Sequence, residues 1–389
     1  MTLRLVLDED EQMMADAASS LCEDMSPSSR VRQLRDDADP LGWSRQTWGQ
    51  LAELGWLGAD VAEDHGGTGL GFFSLCLLLQ AAGRVLMPEP LHDTLVTGSH
   101  ALRAGARPDL RAEWLARVAS GDAVVGFAHD ERGARFTQHH TTTTARRAGT
   151  GWRLDGDKSQ VGYAAGADAI VVSARAAGGT RDRDGIVLFL VEAGSAGLRI
   201  TPQTRIDGRP AALVQLRDVQ VPDSHRLGPA PDTHGQGGAA DLLDAILDRG
   251  RIALAAEMLG VGERAFEMTL GYLKERVQFG VPIGSFQALQ HRAARLFIEL
   301  SLLRSAVLAA ARSVDDAPVE VPQYAALAQA KASEVLSKVC AEAIQMHGGI
   351  GMTDEHDIGF YLKRALVCGS AYGDAPWHRS RWAALGGYG

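Results

Sequence analysis

The sequence predicts an α+β fold in three zones: helical, then β-rich, then helical again. Three observations carry this. Apolar residues recur at helical spacing over the first ~120 positions. Short β-rich runs separated by Gly, Asp and Pro fill the middle. Three long apolar stripes then follow a glycine-rich linker. The expected divisions are a helical domain over 1–120, a β-barrel or sheet domain over 121–232, and a helical bundle over 233–389.

In the first zone, Glu9–Asp24 alternates polar and small apolar groups at helical spacing. Trp48, Leu51, Leu54 and Trp56 form a second apolar stripe, and Leu75–Leu79 a dense block inside a buried helix that ends near Gly83–Pro88. Between them, EDHGGTGLG (Glu63–Gly71) has only a superficial likeness to GxGxxG, and no strand precedes it, so it reads as a turn rich in positive-φ glycines. The middle zone offers strands at Val124–His129, Trp152–Leu154, Ile170–Ser173, Ile186–Val191 and Leu213–Val221. Thr137–Arg147 reads as an exposed hairpin loop, with His139 and His140 solvated rather than metal-bound. Thr233–Gly238 is the linker. Beyond it lie the stripes Leu243–Val261, Phe286–Leu303 and Leu327–Ile344, spaced for a bundle of long helices.

Composition narrows the function. A net charge of −9 argues against a general nucleic-acid binder. The four cysteines are far apart with no CxxC, so no zinc knuckle or redox pair is expected, and no metal site is. No apolar run approaches the ~18 residues of a membrane span, and the N-terminus is acidic, unlike a leader peptide. A cytoplasmic protein without membrane contact follows. GxSxG, HExxH and the Walker A loop are absent.

Two segments interrupt helices with glycine and polar groups. In RVQFGVPIGSFQALQH (Arg276–His291) a helix ends near Gln278, Gly280 and Pro282 enforce a break, and Ser285 is a plausible cap for the next helix. Arg276 can serve either its own helix's carbonyls or an anionic ligand. In QMHGGIGMTDE (Gln345–Glu355) three glycines break a helix and Thr353 is placed to cap another. Such a loop is either a plain turn or a set of bare N–H groups suited to a pyrophosphate.

Both segments resemble signatures of the acyl-CoA dehydrogenase family. So do LAELGWLGADVAEDHGGTGLG (Leu51–Gly71) and LDGDKSQVGYAAGADAIVVSA (Leu154–Ala174), and the resemblance covers nearly the whole chain. It is similar in flavour to the smaller subunit of bacterial pimeloyl-CoA dehydrogenases. The resemblance implies a helical domain, a β-domain and a C-terminal four-helix bundle, with FAD as cofactor and an acyl-CoA as substrate. It also implies an electron-transfer flavoprotein as acceptor, and a homodimer or tetramer, or a heteromeric partner subunit, that completes the flavin site. By the same analogy Arg276, Gln278, Phe279, Ile283, Gln287, Gln345, Gly348 and Gly349 form a wall against a partner subunit's FAD. Phe127, His129 and Asp130, with Gln160 and Gly162, border the flavin ring. Asp248, Arg251 and Tyr372 are placed as substrate contacts near the CoA chain. A salt bridge on a helix face is the competing view of Asp248 and Arg251.

The chemistry of such a family needs a carboxylate to take the thioester α-proton while a hydride leaves the β-carbon for the flavin. The resemblance places that glutamate either in the turn near Tyr372–Asp374 or at the position of Gly250. This chain has glycine at 373 and at 250. Asp248 would point about 200° away from position 250 on a helix. Asp374, in CGSAYGDAPWH, is therefore the candidate base, although aspartate reaches about 1.5 Å less far than glutamate. A turn acid without a catalytic part is the competing view. Two further departures are Asp130-Glu131-Arg132-Gly133, where the family has Thr-Glu-Pro-Gly, and Gln160, where an aromatic usually stands. The expectation is an FAD-dependent α,β-dehydrogenase. The alternatives are a non-catalytic or half-site subunit of a heteromeric enzyme, or a flavin enzyme of the same fold that uses oxygen or a carrier-protein thioester.

Overall fold

A computed structural model describes residues 3–232 and 234–388. Thr233, the first residue of the linker, lies outside them. Six helices come first: α1 (Glu9–Met25), α2 (Ser28–Asp36), α3 (Arg45–Glu53), α4 (Gly71–Arg84), α5 (Ser99–Gly105) and α6 (Pro108–Ala119). A π-helical segment, His92–Gly98, runs directly into α5. Eight strands follow: β1 (Val125–Ala128), β2 (Thr144–Ala148), β3 (Gly151–Gly162), β4 (Ala169–Arg175), β5 (Ile186–Glu192), β6 (Leu198–Thr204), β7 (Pro210–Pro222) and β8 (Arg226–Leu227). The last part holds α7 (Ala240–Glu275), a two-residue hairpin of β9 (Val277–Gln278) and β10 (Val281–Pro282), then α8 (Gln287–Asp316), α9 (Val321–His347), α10 (Ile358–Cys368) and α11 (Ala375–Leu385). The α–β–α order is as the patterns require. Among the described residues no helix is long and apolar enough to cross a membrane.

The chain divides into two compact units. One holds Met1–Gln33, Phe72–Met87 and Arg251–Gly389. Here α1 begins on a capping box: Asp8 accepts from the Glu11 amide at 2.9 Å, and Glu11 accepts from the Asp8 amide at 2.9 Å. Arg312 of α8 then clamps the Glu11 carboxylate at 2.8 and 3.0 Å. Helices α4 and α7 meet backbone to backbone. A Cβ on Gly260 would lie 1.9 Å from the Gln80 carbonyl, and one on Gly83 would lie 2.3 Å from that of Glu257. Helix-interior glycine is unfavourable by itself, so this close approach is what retains it. Gly260→Ala is expected to destabilise by about 1–3 kcal/mol through overpacking. A lowered urea midpoint with an unchanged slope would report it.

The second unit holds Leu34–Gly71 and Pro88–Gly250. Its sheet runs β6-β7-β3-β2-β4-β5-β8, with β1 parallel to β4. AIVVSAR of β4 and IVLFLVE of β5 are continuous apolar runs rather than alternating ones, and β4 is buried throughout. Strand β3 pairs with β7 across two irregularities, the second between Lys158 and Val161. Such a bulge re-aims side chains. It falls on Gln160, whose φ is +57°. The π-helical segment packs on β1: the Val125 amide donates to Thr94 Oγ1 at 3.2 Å.

Several local expectations change. Thr137–Arg147 is not an exposed hairpin: Thr144–Ala148 is strand β2, and Thr141 and Thr143 are fully buried. His139 is paired with Asp244 at 2.8 Å rather than solvated. Ser285 caps nothing, because its hydroxyl donates to the Pro282 carbonyl and α8 starts two residues later. Thr353 likewise donates to Ile350, and α10 starts only at Ile358. In both cases a short 3-10 turn, Ile283–Ser285 and Gly348–Met352, leads up to the residue. Strands β2, β6 and β8 have no apolar run to announce them.

Candidate active site

The sequence-derived residues fall into three groups. The first lies around the start of α11. Asp374 is its N-cap: the backbone is extended at φ −85°, ψ 168°, and Oδ1 accepts from the Trp377 amide at 2.9 Å. Proline at 376 and the capping acid define this helix start locally. One carboxylate oxygen is thereby committed. The preceding Gly373 sits at φ +119°, and a Cβ there would meet the Trp377 ring at 2.6 Å and His378 Nε2 at 3.0 Å. The position the resemblance gives to a glutamate is thus closed by Trp377 and His378. Arg251 lies with its guanidinium carbon 5.3 Å from the Trp377 ring centroid. Burial, helped by the charges of Arg251 and Arg381, pushes the His378 imidazole down to about 3, so it is neutral. Tyr372 has φ +58°. Asp248 and Arg251 are both buried on α7.

The second group gathers where α7 and α9 end. Tyr272 of α7 stacks on His347 of α9 with ring centroids 4.6 Å apart. Beyond this stack the chain exposes Arg276, Gln278, Gln287, Gln345, Gly348 and Gly349, with Ile283 half-buried and Phe279 93% exposed. Nothing stands within 4 Å of where a side chain would project at Gly280, Gly348 or Gly349. His347 is buried; its Nδ1 bonds the Ala343 carbonyl at 2.7 Å, while Nε2 has no hydrogen-bond partner. An exposed phenylalanine, an open glycine cradle and an orphaned buried nitrogen fit a large ligand lying against this wall.

The third group belongs to the sheet. Phe127 stacks on His129, with centroids 6.1 Å apart, and Asp130 follows at the surface. Beneath them is a buried polar network that sequence reasoning missed. Glu131 takes the Thr142 amide at 2.6 Å, the Thr143 amide at 3.0 Å, both threonine hydroxyls, and Lys158 Nζ at 2.7 Å. Lys158 also donates to Ser173 Oγ at 2.9 Å and to the His129 carbonyl at 3.3 Å. Because His129 Nε2 faces the Gln138 carbonyl at 3.0 Å, that nitrogen carries the proton, and Nδ1 accepts from Ser173. Burial opposes ionisation of Glu131, but the ammonium and the threonine donors prevail and hold it at about 2. Burial, with the Lys158 charge, pushes His129 down to about 3. The signal in the sequence was Glu131 within the run at 130–133 and a lone lysine in a β-rich zone; only pairing of distant segments unites them. Gln160 is exposed, and Gly162 ends β3. Among the described residues no cluster of His, Cys, Asp or Glu could hold a metal ion.

A helical segment, a sheet domain and a helical C-terminal domain with these glycine breaks define a three-domain flavoenzyme-like architecture. The chain matches family models along its length: acyl-CoA dehydrogenase N-terminal domain over residues 8–122, middle domain over 126–219 and C-terminal domain over 236–384. It belongs to the acyl-CoA dehydrogenase family, oxidoreductases acting on a CH–CH bond. Acyl-CoA dehydrogenase IpdE2 of Mycobacterium tuberculosis is 31% identical over 362 residues, covering 92% of this chain and 91% of that protein. Among solved structures, the Tcur3481–Tcur3483 steroid ACAD is 31% identical with a TM-score of 0.86, covering 97% of this chain and 98% of that one. The ChsE4–ChsE5 complex from Mycobacterium tuberculosis is 27% identical with a TM-score of 0.88, covering both chains fully at 100%.

Proposed function

We propose that this chain carries out α,β-dehydrogenation of an acyl-CoA thioester with FAD. The observation that carries the reading is the exposed wall at the ends of α7 and α9, built as an open cradle around Gly348 and Gly349. Arg276, Gln278, Phe279, Ile283, Gln287, Gln345, Gly348 and Gly349 would hold the cofactor there. Phe127, His129, Asp130, Gln160 and Gly162 would border its ring. When bound, FAD supplies hydride acceptance. Asp374 takes the α-proton with the carboxylate oxygen that the helix cap leaves over, and Arg251 with Tyr372 orients the polar part of the substrate. Asp248 is buried on α7, three residues before Arg251. Because the wall is exposed, a second chain is needed to cover the cofactor, and an electron-transfer flavoprotein is the natural acceptor. The four cysteines are buried and form no disulfide, which suits a reducing cytoplasm.

A second reading is favoured by one observation: at 373 a glutamate has no space, and at 250 the chain has glycine. On that reading the chain is one subunit of a heteromeric dehydrogenase whose partner supplies the glutamate. The two-component names of the Tcur3481–Tcur3483 and ChsE4–ChsE5 structures support it. The domain divisions at 120 and 232 are proposed in either case.

The test is the visible spectrum of the pure protein, titrated anaerobically with acyl-CoAs. A flavin band bleached by substrate is expected. A chain that bleaches only after a glutamate-bearing partner subunit is added would replace the first reading with the second. A colourless chain that takes up no FAD under either condition would sink both.

A further inference from the structure

The π-helical segment His92–Gly98 brings a carboxylate to the end of β3. A Cβ built on Gly162 would lie 2.6 Å from Asp93 Oδ1 and 2.9 Å from Oδ2. Gly162 is not among the residues with positive φ, so its backbone does not demand glycine. What demands it is space: the Asp93 carboxylate fills the volume that a side chain at 162 would occupy. The preceding bulge and the left-handed Gln160 turn this stretch of β3 locally, so that 160–162 forms a shaped surface rather than plain strand.

The segment that carries Asp93 is held firmly. His92 Nε2 lies 2.9 Å from the Gly250 carbonyl, which accepts, so this nitrogen carries the proton. The Thr97 hydroxyl donates to the Asp93 carbonyl at 2.7 Å, and the Ser99 hydroxyl to the Thr94 carbonyl at 2.8 Å. The Val125 amide donates to Thr94 Oγ1. The π geometry is rare and gathers at functional sites. Among the described residues the Asp93 carboxylate has no cation or hydrogen-bond donor paired with it. It is half-buried, so its charge is only partly screened by water.

We propose that Asp93 presents its negative charge to the flavin ring and lowers the reduction potential of the bound cofactor. This rests on the reading above that FAD lies along 160–162. Reduction adds electron density to the ring, and a fixed carboxylate beside it opposes that change, just as it opposes proton loss from a neighbouring acid. The Asp93–Gly162 contact is then a matched pair: the glycine makes room for the charge.

The experiment is a reductive titration of the FAD-loaded protein against a reference dye, alongside the FAD dissociation constant. The variants are Asp93→Asn, Gly162→Ala and the exposed control Asp109→Asn. Asparagine keeps the shape of the side chain and removes its charge. Asp93→Asn is expected to favour the reduced flavin about tenfold, which is about 30 mV for a two-electron couple. Gly162→Ala, whose methyl must displace the carboxylate, is expected to move the potential in the same direction, and Asp109→Asn to leave it in place. An unchanged potential in Asp93→Asn, with FAD bound as in the wild type, overturns this inference alone. A wild-type chain that takes up no FAD, by itself or with a partner chain, overturns the flavin reading and this inference with it.

Discussion

Asp374→Asn is expected to lower acyl-CoA turnover by about 10²- to 10⁴-fold, the usual contribution of a positioned proton acceptor. The substitution is informative because of where the residue stands. Asp374 caps α11 through Oδ1 and the Trp377 amide. Asparagine caps a helix about as well as aspartate, so α11 should keep its start and the unfolding midpoint should not move. Only the ability to accept a proton is removed. Asp374→Ala loses the cap as well, at a further cost of about 1 kcal/mol of stability. Stopped-flow bleaching of the flavin and a thermal melt, run on both variants, separate the two effects. If Asp374→Asn turns over as the wild type does, Asp374 is a cap and nothing more, and the proton acceptor lies elsewhere.

Lys158→Met should be the most destabilising single change in the sheet domain, by about 3–5 kcal/mol. The lysine side chain is fully buried and, among the described residues, is the one cation bonded to the Glu131 carboxylate. Removing it strands a buried charge, which costs far more than the pair itself is worth. Adding Glu131→Gln to the same protein should recover much of the loss, and a double-mutant cycle in urea measures the coupling. The pH dependence has a definite sign. Glu131 is held at about 2, below its ordinary value of 4.5. Its contribution to stability is therefore complete above about pH 4.5 and is lost as pH falls towards 2. In Lys158→Met this acid limb should flatten or reverse, because burial then raises the carboxyl instead. An acid limb unaltered by Lys158→Met would show that Glu131 does not depend on the lysine.

Where local pattern decides structure, the sequence was legible. The acidic start at Asp8–Glu11 spells the capping box of α1, and the run AIVVSAR could only be a buried strand. At GDAP the sequence shows only a turn acid; the structure makes Asp374 the N-cap of α11. Reading failed where the deciding contact is distant. The threonines of the loop before β2 looked solvated because nothing nearby in the chain reveals that their hydroxyls surround Glu131. Ser285 and Thr353 looked like caps because their types suit capping, but each bonds a carbonyl three residues back and closes a 3-10 turn instead.

The sequence by itself determined the α–β–α order, the family, the glycine breaks at 280 and 348–351, and the absence of a glutamate at 250 and 373. These are matters of residue type, period and spacing, which the chain carries locally. Only the tertiary structure decided that Trp377 and His378 fill the space above Gly373, that Lys158 answers Glu131, and that Asp93 occupies the room Gly162 leaves. The last two join side chains brought together by packing rather than by neighbourhood in the chain. The physical reason is that burial makes the pairing of charge and volume obligatory without saying, anywhere in the one-dimensional sequence, which distant residue will supply the partner.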